Sequence, residues 1–86
     1  MSIKEAAEKE MKRMKEVFSD VKVMNKPRAQ EFHDFAKNYF DDGIHFYGKE
    51  QYVESFEAFI ISWAYIDIGL KLDLFKTNLK DFFTVE

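Results

Sequence analysis

The chain has 86 residues, a net charge of −3 and no cysteine. That length makes one domain with a modest core, and the missing thiols exclude both disulfide staples and thiolate metal sites. Ten Phe, four Tyr and one Trp supply the core instead, while one Pro and three Gly leave little loop, so the expected class is all-α.

Charge is spread unevenly along the chain. Residues 1–26 carry seven Lys/Arg against five Asp/Glu, residues 27–48 two against four, and residues 49–86 four against seven. A chain of this balance has no general attraction for nucleic acid or for an acidic membrane. The start, MSIKEAAEKEMKRMKE, lacks the apolar core of a signal peptide, so a cytoplasmic location is expected.

The first helix is expected over about residues 3–23. Ser2 and Glu5 have the spacing of a capping box, and Ala7, Met11, Met14, Phe18 and Val21 recur at helical spacing behind it. Lys26 stands before Pro27 and is pushed from helical dihedrals, which ends the helix and offers Pro27 as the first position of the next. The second helix is expected over about 27–47, with Ala29, Phe32, Ala36, Tyr39, Gly43 and Phe46 on one stripe and Gly48 as its stop.

The third helix is expected over about 50–74 and is the most apolar stretch. Tyr52, Phe56, Phe59, Trp63, Ile66 and Leu70 form one stripe, and Ile61, Tyr65, Ile68 and Leu72 form a second, nearly opposite. Glu57 and Asp67 interrupt the run, so it does not read as a membrane span. Residues 75–86 form a tail whose Phe75, Leu79, Phe82 and Phe83 are spaced as on a short helix.

Three helices of similar length joined by short turns make neighbours antiparallel. In that register the stripes fall into layers, among them Ala7 with Gly43 and Phe56, and Met14 with Ala36 and Trp63. Large side chains meet small ones in most layers, as a void-free core requires. The expected architecture is an up-and-down three-helix bundle, one domain over 1–86, with the tail packed against it. The bundle leaves Phe40, Ile44, Tyr47, Ile61, Tyr65, Ile68 and Leu72 outside the core, as a candidate contact surface for a protein partner or a second copy, covered in part by the tail.

Tyr39-x-x-Asp42, Phe46, Tyr52-Val53-x-x-Phe56-Glu57-Ala58, Trp63-Ala64-Tyr65-Ile66-Asp67-Ile68-Gly69 and Leu74-Phe75 resemble a family of small archaeal proteins catalogued as domain-of-unknown-function family 357. The resemblance spans about residues 28–86 and is most specific in the Phe-Glu-Ala segment and the Asp-x-Gly that follows it. It implies a small helical bundle without an established activity. The chain departs from the pattern at Glu50-Gln51, where Gly-Asp is common, and at Ser55 and Ser62, where small residues are usual.

The polar residues read first as structure. In the expected register Asp67 lies near the start of the second helix, where it can cap or pair with Arg28, and Glu57 lies near Lys9, Lys12 or Arg13. Asp41, Asp42 and His45 make an acidic–imidazole group, but a dinuclear bundle site needs a second such pair and two further inward carboxylates, and the sequence has neither. Arg28 and His33 have the spacing of an Arg–His motif in certain helical RNA-cleaving domains, where arginine holds phosphate and histidine moves protons. Glu31 and Asp34 surround that pair with acid. No cofactor, metal or small-molecule ligand is implied, and nucleic acid is not the expected partner. The reading is a non-enzymatic interaction or self-association module; the alternative is an RNA-processing helical domain built on Arg28 and His33.

Overall fold

The computed structural model describes residues 1–83. Helix α1 runs Ile3–Asp20, strand β1 Lys22–Val23, α2 Ala29–Gly48, α3 Tyr52–Lys71 and strand β2 Phe75–Lys76, with a final 3-10 turn at Lys80–Phe82. The capping box opens α1: the Ser2 hydroxyl accepts from the Glu5 N–H at 3.1 Å, and the Glu5 carboxylate accepts from the Ser2 N–H at 3.4 Å.

Contacts between side chains fix the directions. Lys4 lies 5.8 Å over the Tyr52 ring and Arg13 5.8 Å over Trp63, so α1 and α3 run parallel. Tyr47 donates to Glu8 and Phe18 packs against Phe40, so α1 and α2 run antiparallel. The fold is therefore the up-down-up bundle that the spacing predicts. It is not an even-sided one: α3 packs closely on both other helices, which touch each other little.

The α2–α3 seam is held by two repeats of one device. Ser55 donates to the Gly43 carbonyl at 2.7 Å, and Ser62, seven residues on, donates to the Ala36 carbonyl at 2.6 Å. The sequence register paired those carbonyl residues with Phe56 and Trp63; the structure turns α3 by one residue. Serines at the crossing let the backbones approach, and the bond to a carbonyl offsets the cost of taking each hydroxyl out of water. Gly43 serves the same closeness, since a Cβ there would lie 2.5 Å from the Phe59 ring. The core around the seam comprises Met14, Val17, Ala29, Ala36, Phe40, Phe59, Ile66, Leu74, Phe75 and Phe83.

Both helix ends on this hairpin are Schellman motifs. At the end of α2 the Gln51 N–H reaches the Phe46 carbonyl at 2.9 Å and the Glu50 N–H reaches Tyr47 at 3.0 Å. At the end of α3 the Leu74 N–H reaches Gly69 at 2.8 Å and the Asp73 N–H reaches Leu70 at 3.1 Å. The left-handed residues are Glu50 (φ 61) and Asp73 (φ 59), not glycines. Gly48, the expected stop, is simply the last residue of α2.

Three boundaries differ from the spacing. Helix α1 stops at Asp20 because Lys22 and Val23 pair antiparallel with Lys76 and Phe75, and a strand pairing outweighs the weak helix preference of Val21 and Val23. Pro27 lies in a turn and does not open α2; Arg28 caps the helix with its own backbone left-handed (φ 68) and gives no side-chain bond. Helix α3 stops at Lys71, so that Phe75 can fold back onto Gly69, where a Cβ would lie 2.2 Å from its ring.

The tail takes a course other than the expected one. It closes over the α1–α3 seam: the Trp63 Nε1–H donates to the Phe82 carbonyl at 2.6 Å, and the Phe83 ring lies parallel to Trp63 at 6.0 Å. The second stripe of α3 is on the other side of the helix and does not receive these tail residues. Residues 84–86 of the expected tail lie outside the described residues.

Candidate functional site

Helix α3 is apolar all round because it has three neighbourhoods. One side holds Ser55 and Ser62 against α2, and a second holds Trp63 against α1 and the tail. Ile61 and Ile68 project away from Trp63 by helical geometry, and nothing among the described residues closes that third side. Ile61 is 40% exposed, Ile68 46% and Leu72 56%.

Helix α2 extends this surface. Tyr65 stacks on Phe35 at 5.4 Å and on Tyr39 at 5.9 Å, with the edge of Phe32 at 6.0 Å. Phe35 is itself well exposed, as is Val53 at the start of α3. Tyr39, Phe46, Ala58 and Ile61 line a shallow depression on the same face, with Asp42, Glu54 and Glu57 at its rim. The result is an apolar strip along the α2–α3 hairpin, on the side away from α1. The sequence reading missed Phe35 and Val53; the i, i+4 aromatic pair Phe35–Tyr39 was the available signal.

The expected contact residues divide accordingly. Ile61, Tyr65, Ile68 and Leu72 lie on the strip, Tyr65 half-buried among the rings. Phe40 does not: it is 9% exposed, wedged between Phe18 and Phe59, because its side of α2 faces α1. Tyr47 also turns to α1, bonding Glu8. Ile44, on the stripe between Phe40 and Tyr47, borders that α1–α2 edge and not the strip. Burial, and after it the Glu8 charge, pushes the Tyr47 phenol above its ordinary value; the Lys12 hydrogen bond and charge hold Glu8 below its own.

The polar pairs are also rearranged. Asp67 accepts from Lys71 at 2.8 Å, one turn along α3, while Arg28 pairs with Glu31 at 3.3 Å on α2. Arg13 pairs with Glu10 at 2.5 Å rather than with Glu57, which stands exposed at the opposite rim. Asp67, Arg28 and Arg13 each have a partner one turn away on the same helix. Arg13 gains a second role, its guanidinium lying between the Trp63 and Phe82 rings at 5.8 and 6.0 Å.

Neither chemical alternative is assembled. His33 is turned inward, edge-on to Phe18 at 5.6 Å and to Phe75 at 6.3 Å, while Arg28 lies outward over Phe32. Asp41 is bonded to Lys37 at 2.7 Å, His45 lies beside Phe46, and no group of three metal-ligating side chains occurs among the described residues. No described helix is long and apolar enough to cross a membrane.

Comparison with known proteins places the fold. A crystal structure of protein AF1782 from Archaeoglobus fulgidus, of the DUF357 family, superposes with a TM-score of 0.77 at 21% identity, over 88% of this chain and 93% of that one. No curated protein matches. The family model described as protein of unknown function (DUF357) matches residues 3–75, which takes in α1 as well as the hairpin. The chain belongs to the DUF357 family.

Proposed function

We propose that this protein is a non-catalytic self-association module of the cytoplasm, and that its contact face is the apolar strip on the α2–α3 hairpin. The carrying observation is the exposure of Ile61, Ile68 and Leu72 in one line beside Phe35. Scattered exposed apolar residues are ordinary, but a continuous strip on so small a protein marks a contact. The described tail residues do not relieve it, since Phe82 and Phe83 are engaged with Trp63 on the far side of α3.

A second copy fits this strip. A two-fold axis across the strip would bury Ile61, Ile68 and Leu72 of each copy against those of its mate, an isologous contact.

Sedimentation or light scattering across a dilution series tests the proposal. The expected result is a dimer that dissociates on dilution and is abolished by Ile61→Asp with Ile68→Asp, with the helical circular dichroism retained. A wild-type mass of one chain throughout the series overturns it.

A further inference from the structure

The β1–β2 ribbon builds a feature that no other part of the chain explains. An open groove of about 860 Å³ lies beside it, with Lys22, Lys71, Lys76 and Lys80 on its walls together with Asp20 and Asp73. Residues 49–86 carry four lysines and a net charge of −3, yet three of those four stand at this groove. Lys22 joins them from the other end of the sequence.

The pairing makes the concentration costly. Lys22 and Lys76 are directly opposed across the ribbon, and their neighbours Val23 and Phe75 pack on the core, so alternation turns both lysines outward. Like charges directly opposite are destabilising in a ribbon. Lys22, Lys76 and Lys80 make no ion pair among the described residues. Lys71 is bonded to Asp67, with its side chain half exposed.

The groove's acids offset only part of this charge, since Asp20 and Asp73 stand against four lysines. The Asp20 carboxylate accepts from the Thr77 hydroxyl and from the Asn78 N–H, the latter at 2.8 Å. These bonds fix the loop that follows β2 and so place Lys76 and Lys80 about the groove, while the carboxylate keeps its charge. Leu70 and the edge of Phe75 give the groove an apolar part. Lysines around a partly apolar hollow of this size suit a compact anion with an organic body.

We infer that this groove binds a small phosphate-bearing organic molecule of the nucleotide class, with its phosphates across Lys22, Lys76 and Lys80 and its organic portion toward Leu70. The site is at the ribbon end of the bundle and does not depend on self-association.

The test is an amide-shift titration of the labelled full chain with pyrophosphate and with ATP, repeated on Lys22→Gln/Lys76→Gln. Saturable shifts at residues 22 and 76–80 are expected, with ATP the tighter ligand, and the double variant should bind about tenfold or more weakly. Because the variant removes a like-charge pair, its melting temperature should hold or rise while binding falls, which a merely structural role for the lysines would not produce. Absence of saturation up to about 10 mM of either ligand, a Kd in the millimolar range being the weakest binding worth the name, overturns the inference. So does a response to single-stranded RNA or to anionic vesicles with none to pyrophosphate or ATP.

Discussion

Gly69→Ala tests the packing logic of the C-terminal half. A Cβ on Gly69 would lie 2.2 Å from Phe75 Cε2 and 2.4 Å from Cδ2, where ordinary contact needs well over 3 Å. The ring cannot retreat freely. Its backbone is paired with Val23 in the ribbon, the preceding Leu74 N–H is bonded to Gly69 itself at 2.8 Å, and the edge of His33 closes another side. Overpacking of a buried site costs about 1–3 kcal/mol or more. Alanine in a helix returns about 1 kcal/mol relative to glycine. With a clash this deep the expected balance is a loss of about 2 kcal/mol, or a fall in Tm of about 8–16 °C for a domain of this size. Thermal and urea melts followed by circular dichroism measure it. Gly48→Ala is the control, since nothing lies within 4 Å of its Cβ and that change should be neutral or stabilising. Phe75→Leu, which shortens the offending ring, should make Gly69→Ala less costly in a double-mutant cycle. A Gly69→Ala protein as stable as wild type would refute the reasoning.

Three further outcomes are expected. Ser62→Ala should lose about 1 kcal/mol, one net buried hydrogen bond, in a denaturant melt; Ser62→Leu should lose far more, because the helices must separate. Glu50→Gly should gain about 0.5–1 kcal/mol, since the left-handed backbone costs a side chain about 1–2 kcal/mol and glycine's extra chain entropy returns about half of that. Asp20 is held below the ordinary carboxylate value of 3.8, first by the Thr77 hydroxyl and then by the Asn78 N–H. Its folded pKa lies under its unfolded one, so its contribution is full above that unfolded value and disappears as pH falls through the folded one. Melts at a series of pH values should show wild type losing more stability than Asp20→Asn on that acid limb, and parallel curves would contradict the assignment.

The place where the spacing went astray is instructive. The two stripes on α3 are both real, but the pattern gave the α2 contact to Phe56 and Trp63, the largest side chains. The structure gives it to Ser55 and Ser62, because close helix packing selects small residues and tolerates a hydroxyl that reaches a carbonyl. Phe40 lies in the core and not at the surface, because α1 meets α2 along a line the stripe had not included. The contact strip was half legible: Ile61, Tyr65, Ile68 and Leu72 announced themselves by being apolar opposite a full stripe, whereas Phe35 belonged to it only once Tyr65 was seen to stack there.

Helix content, chain direction and the excess of apolar surface on α3 were determined by the sequence alone, because period, breakers and turn length are local properties. Which way the tail would run was decided by tertiary structure: Trp63 presents an N–H that must be satisfied, and Phe82 brings the carbonyl. The meeting of Lys22 with Lys76 was decided there too. Residues more than fifty positions apart carry no mark of one another in a periodic pattern, and only the return of the chain after α3 brings their charges to one groove.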